Sequence, residues 1–266
     1  MKTKAILITS LLILFLYVNS VFAQNSKVLF VLSAADTLLL NKGEKKRQTG
    51  VFLSEFYLVY KSLITNDYKV DFATPGGKKA TIDQGSLNDK YWKNHPELKQ
   101  EAIDFWENNA SFSNPLTLET AIKNKHEYIG LVVPGGQGLM VDLMYDKHTP
   151  ILLKNFAKAE KAIGLICHAP CLITTIPKEE NPFIEYKVNS VTPFEEFIIE
   201  TFIMKGKPQN RKIANQLKKL GLNYKSGFPG SNYAIRDRNL VTSQNPYSES
   251  AFNELFLQLL SEKKNK

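Results

Sequence analysis

Residues 164–173 read GLICHAPCLI, and Ala162 and Ile163 stand directly in front of them. Together they spell a short apolar strand that stops at Cys167 and turns at once into a helix. A brief apolar run closed by such a turn fits a strand of a parallel sheet covered on both faces. Pro170 is tolerated in the first helical turn because N–H groups there have no helical partner. A cysteine at so sharp a strand-to-helix junction has the geometry of a nucleophile elbow, its side chain thrust out at the carboxyl end of the sheet. In doubly wound sheets, ligands bind at that end. The dipole and free N–H groups of the following helix are expected to stabilise a thiolate and lower the thiol pKa. His168, next in sequence, offers a general acid/base. Cysteine is often simply a core residue, but its place at the junction favours the functional reading.

Outward from this stretch, strand-like runs recur at 27–33 (KVLFVLS), 68–73, 128–133 and 240–243, with another near 187–191. Helical segments are expected at 50–65, 150–161, 169–175, 208–220 and 248–260. The alternation predicts an α/β fold with a mostly parallel sheet and helices on both faces. The connection over 75–125 is unusually long and carries both tryptophans, Trp92 and Trp106. A crossover of that length reads as a cap insertion over the sheet edge, or as a surface subdomain that only packs.

Two further pieces accompany the cysteine. Pro134-Gly135-Gly136-Gln137-Gly138 follows the third strand, and a glycine-rich turn at a strand end exposes backbone N–H groups able to hold an oxyanion. The same tripeptide Pro-Gly-Gly is also an ordinary turn. Glu55 sits early in the first helix among Phe52, Leu53 and Phe56. A carboxyl group in apolar company has a raised pKa and can stay protonated, donating a hydrogen bond to sulfur. The plainer reading is a surface glutamate placed near a helix N-terminus.

With 266 residues, 43% hydrophobic and 23% charged, the chain is neither collagen-like, low-complexity nor disordered. Its formal charge is +8, in part from Lys2 and Lys4. Residues 1–23 read as a cleavable signal peptide with a basic start, an apolar run and a small-residue site at Val21-Phe22-Ala23. An uncleaved membrane anchor is the rival. Residues 24–266 then form one domain, secreted or periplasmic, with no stable membrane insertion after cleavage. No basic stripe with interleaved aromatics appears, so no nucleic-acid partner is expected. His95, His126 and His148 lack ligand spacing, so no metal is expected. Cys171, four residues after Cys167 on one helix face, reads as a small buried residue, because disulfide torsions are hard to satisfy at that spacing.

The ordered set KVLFVLS, TGVFLSEFYLVYKSL, VDFATPGGKKATID, VVPGGQG, GLICHAP and NLVTSQNP resembles the ThiJ/PfpI superfamily, which has a class I glutamine amidotransferase-like fold. The nearest branch is that of the heat-shock glyoxalase-chaperones. The resemblance implies a flavodoxin-like three-layer sandwich, with Cys167 as nucleophile, His168 as its acid/base partner and Glu55 contacting the sulfur. It implies an oxyanion site from Gly135, Gly136 and the N–H of His168. It further implies a cofactor-free conversion of a small aldehyde, methylglyoxal, to lactate, and homodimers are common in the superfamily. This chain departs from the branch at Gln137, where His is frequent, and in the segment expected to supply an acid that orients His168. Glu196 is the candidate there, with Glu195 and Glu200 as alternatives. Class I amidotransferases use a separate downstream His, and none follows His168. Three functions compete: a glyoxalase III-like lyase, a stress-related holding chaperone or deglycase, and a cysteine amidase or peptidase.

Overall fold

The structure is a computed structural model that describes residues 27–264. The signal-peptide reading at 1–23 therefore lies outside the described residues.

Chain order sets out β1 (Lys27–Val31), then a hairpin of β2 (Thr37–Leu40) and β3 (Lys45–Gln48), then α1 (Leu53–Thr65) and β4 (Lys69–Thr74). Next come α2 (Leu98–Asn108), α3 (Ala110–Ser113), β5 (Leu116–Thr117), α4 (Leu118–Lys123) and β6 (Tyr128–Val133). They are followed by α5 (His148–Lys158), β7 (Ala162–Ile166), β8 (Lys187–Val188), α6 (Pro193–Ile198) and α7 (Ile213–Leu220). The chain closes with β9 (Asn223–Tyr224), β10 (Ala234–Asp237), β11 (Leu240–Ser243) and α8 (Glu249–Lys264).

Seven strands form the main sheet in the order β10-β11-β7-β6-β1-β4-β5. All its pairs are parallel except β10 with β11. Helices α1 and α8 cover one face, and α4, α5 and α7 lie on the other. The central strands β1, β6 and β7 are apolar and buried almost throughout, as both-face coverage requires. Phe56 of α1 packs edge-on to Phe30 of β1, with ring centroids 5.3 Å apart, and also meets Phe72 and Phe112. This cluster fixes the first turn of α1, and with it Glu55.

Several expected elements differ. The helix expected from residue 50 starts at Leu53, because Val51 exchanges backbone hydrogen bonds with Thr81 and Asp83, and the Phe52 N–H donates to Gly135 O. The helix expected from 208 starts at Ile213, since Lys212 is in the left-handed conformation at φ +58°. The strand expected at 187–191 is only β8, which pairs with β9 outside the main sheet. Beyond it the Asn189 N–H donates to the Thr242 side chain, and the Val191 N–H to Cys167 O. The segment after Cys167 is a 3₁₀ helix, Ala169–Thr175, rather than an α-helix. The long connection divides. Its first part, around Asp83 and Tyr91, reaches the cavity described below, whereas α2 packs on α1 and β5 extends the sheet edge. The cap is thus only its first third, because the apolar residues of the rest are used by sheet and helix packing.

Candidate active site

Cys167 follows β7 with φ +57°, a left-handed conformation that is costly for a residue with a side chain. The surrounding chain holds it there: the Cys167 N–H donates to Ser243 O at 2.8 Å, and Cys167 O accepts from the Val191 N–H at 2.9 Å. The turn therefore aims the thiol away from the sheet, into a cavity of about 240 Å³ beyond the carboxyl ends of the strands. Cys167, His168, Gly136 and Gln137 form part of its lining.

Three groups meet the sulfur. Nδ1 of His168 lies 3.2 Å from Sγ. The backbone N–H of His168 also points to the sulfur. From the other side comes the carboxyl group of Glu55, which touches the Cys167 thiol and the Gly135 N–H. Neither Glu55 oxygen completes a well-aligned hydrogen bond among the described residues. Burial pushes the Glu55 carboxyl up to about 8, against the pull of those two donors. At neutral pH it therefore keeps its proton, as the apolar sequence around it predicts.

Burial also pushes the Cys167 thiol up, as would negative charge on Glu55 and Glu195. This is opposite to the lowering expected from a helix dipole, because burial of the sulfur beside two carboxyl groups outweighs it. While Glu55 keeps its proton its charge is absent, and its O–H joins the His168 N–H as a donor to a developing thiolate. Burial depresses His168 to about 4, so the ring is neutral and able to accept a proton.

The far edge of that ring meets Gln137, with the two Nε2 atoms 3.3 Å apart, while Gln137 Oε1 is buried without a partner. With the amide nitrogen toward the ring, Gln137 donates to His168 Nε2 and the ring proton lies on Nδ1; with the amide turned over, the buried oxygen gains a partner. In that second orientation Oε1 accepts a hydrogen bond from His168 Nε2–H, and Nδ1 keeps a lone pair facing Sγ.

The glycines divide the work expected of them. A Cβ on Gly135 would lie 2.3 Å from Glu55 Oε2 and 2.8 Å from the Cys167 Cβ, so the residue leaves room for the carboxyl–thiol pair. Its N–H serves Glu55, which corrects its assignment to the oxyanion site. Gly136, at φ +103°, does line the cavity, and a Cβ there would collide with Gly50 O.

Glu196 does not reach His168 by a hydrogen bond. Its carboxylate accepts from the backbone N–H groups of Ile213 and Lys212 at the start of α7, and burial pushes its pKa up to about 7. Glu200 forms an ion pair with Arg211. Glu195 caps α6 with Thr192 and accepts from Asn245 and Gly230. None of the three carboxyl groups hydrogen-bonds to the His168 ring, and the side chain that meets its far edge is Gln137. Both cysteines are free, and Cys171 is buried. Tyr91 was not legible as a site residue, since no motif marks it within the long connection, yet its ring stacks edge-on against Phe52 in the cavity wall.

No family model matches the chain. The protein/nucleic acid deglycase HchA of Pseudomonas aeruginosa is 23% identical over 255 residues, covering 90% of this chain and 82% of the relative. Glyoxalase III of Candida albicans superposes with a TM-score of 0.69 at 21% identity, covering 88% of this chain and 96% of that one. A ThiJ/PfpI domain protein from Brachyspira murdochii superposes with a TM-score of 0.57 at 15% identity, covering 90% and 98%. The structures share the fold and the curated relative aligns over most of both lengths: the chain has a ThiJ/PfpI-like α/β fold.

Proposed function

We propose that the protein is a cofactor-independent enzyme acting on reactive aldehydes, converting a 2-oxoaldehyde and water to the 2-hydroxy acid. The observation that carries this reading is the Cys167 sulfur at the cavity wall, with His168 Nδ1 at 3.2 Å and the protonated Glu55 carboxyl against it. The similarity to a deglycase and to a glyoxalase III supports it.

The chemistry follows from the geometry. As sulfur attacks the aldehyde carbon, His168 Nδ1 accepts the thiol proton and Glu55 supplies a hydrogen bond to the anionic sulfur. His168 passes that proton to the former aldehyde oxygen, which gives a neutral hemithioacetal and frees the imidazole. Transfer of the C1 proton to C2 through the imidazole then gives a thioester of the hydroxy acid. Water cleaves it, releasing the acid and restoring the thiol. No redox partner is consumed, since one carbon is oxidised as its neighbour is reduced.

The experiment is lactate formation from methylglyoxal by the purified protein beside a Cys167→Ser control. Lactate formation that depends on Cys167 supports the reading, and its absence sinks it. In this reading the segment 1–23 directs export, which mass measurement of the mature N-terminus tests. A second reading, holding of unfolded chains, is favoured by the exposed rings of Phe194, Phe197, Phe202 and Phe228. It requires suppression of aggregation that survives Cys167→Ser.

A further inference from the structure

The cavity over Cys167 offers far more room than a three-carbon aldehyde fills, and the extra space is apolar. Phe52, Tyr91 and Tyr247 form a continuous aromatic wall, with centroids 4.8 Å apart for the first pair and 5.7 Å for the second. Ile198 at the end of α6, Ile199 in the π-helical turn Ile199–Ile203 that continues it, and Met204 just after that turn add apolar surface.

Among the polar side chains of these walls, Glu195, Asn245, Arg47 and Asp83 are already engaged with neighbouring groups. Glu195 Oε1 accepts from the Gly230 N–H at 2.8 Å and from Asn245 Nδ2 at 2.9 Å, and Oε2 accepts from the Thr192 N–H at 2.8 Å. Asn245 Oδ1 accepts from the Tyr247 N–H at 2.9 Å. At the rim Arg47 donates to Ile203 O and pairs with Asp83, while the Lys90 ammonium stands 4.7 Å above the Tyr91 ring. A substrate rich in hydroxyl groups would surrender its water here and find few free partners. A bulky apolar group would exchange water for the aromatic and aliphatic walls and lose nothing.

We infer that the preferred substrate is a 2-oxoaldehyde whose keto carbon carries an aromatic or branched apolar group. The inference rests on the aldehyde reading above and narrows it. With the aldehyde carbon on Cys167 Sγ, the substituent occupies the space between the aromatic wall and the aliphatic side chains of α6. Water adds across the dicarbonyl as before, so phenylglyoxal would yield mandelate.

Three substrates separate the outcomes: phenylglyoxal, methylglyoxal and the polyhydroxylated 3-deoxyglucosone, each assayed for its 2-hydroxy acid with Cys167→Ser as background. The expected order of kcat/KM is phenylglyoxal first, by about tenfold over methylglyoxal, with 3-deoxyglucosone last. Ile198→Asn should lower the ratio of phenylglyoxal to methylglyoxal by a similar factor. Equal or better turnover of methylglyoxal or 3-deoxyglucosone overturns the inference and leaves the aldehyde reading standing. Failure of all three to give product dependent on Cys167 overturns that reading and the inference with it.

Discussion

Gln137 meets His168 edge to edge, with 3.3 Å between the two Nε2 atoms and the amide oxygen buried without a partner. An acceptor at this place puts the ring proton on Nε2 and turns the Nδ1 lone pair to Cys167. Gln137→Leu should lower kcat about tenfold or more with little change in KM, because a misplaced ring proton disables the base rather than the cavity. Gln137→Glu should keep the tautomer and raise the histidine pKa from about 4, shifting the pH–rate profile. ¹⁵N NMR of the ring reports the tautomer directly, and an Nδ1-protonated ring in the wild type would refute the assignment.

Glu55 can donate to an anionic sulfur only while it holds its proton, to about pH 8. Glu55→Leu removes the donor, so iodoacetamide labelling of Cys167 at pH 7 should slow at least about tenfold, equivalent to roughly 1.4 kcal/mol against the thiolate. Glu55→Gln retains an N–H donor without a titrating charge. Its labelling should match the wild type at pH 7 and exceed it above pH 8, where the native carboxylate repels the anion. Identical profiles in all three proteins would show that the contact is inert.

The same carboxyl makes stability depend on pH. Its pKa is about 8 folded and near 4.5 unfolded, so the folded state binds the extra proton between those values. Stability from this group is full below about 4.5 and is lost as pH rises through 8. Thermal unfolding from pH 5 to pH 9 should therefore cost the wild type more Tm than Glu55→Gln. A difference between the two proteins that stays constant with pH would contradict the buried, protonated state.

Glu196 holds the first turn of α7 rather than the histidine. Glu196→Leu leaves the N–H groups of Ile213 and Lys212 without an acceptor, a loss of about 1–3 kcal/mol. Denaturant titration should show that loss while kcat stays within a few-fold. A hundredfold fall in kcat at unchanged stability would restore Glu196 as the orienting acid.

Gly135→Ala tests the closeness of the pair. A methyl group 2.3 Å from Glu55 Oε2 cannot be accommodated without moving the carboxyl or the thiol. The variant should lose at least about tenfold in kcat and in the rate of Cys167 labelling at pH 7.

Local sequence determined the main-sheet strands β1, β4, β6, β7 and β11 and the cysteine turn, because short apolar runs such as the one closed by Cys-His-Ala-Pro leave the chain few conformations. For Glu55 it offered two readings, a protonated carboxyl beside Phe52, Leu53 and Phe56 or a surface glutamate, and only burial against Cys167 and Gly135 decided for the first. Tertiary structure alone decided the rest. Whether Glu195, Glu196 or Glu200 would stand behind His168 depended on where Lys212 turned the chain, more than ten residues away. That Gln137 faces the ring, and that Tyr91 and Tyr247 share one wall, follows from strands and loops distant in sequence meeting at one sheet edge. The thiol pKa went the same way: a helix dipole can be read from a motif, but the burial that opposes it is a property of everything packed around the sulfur.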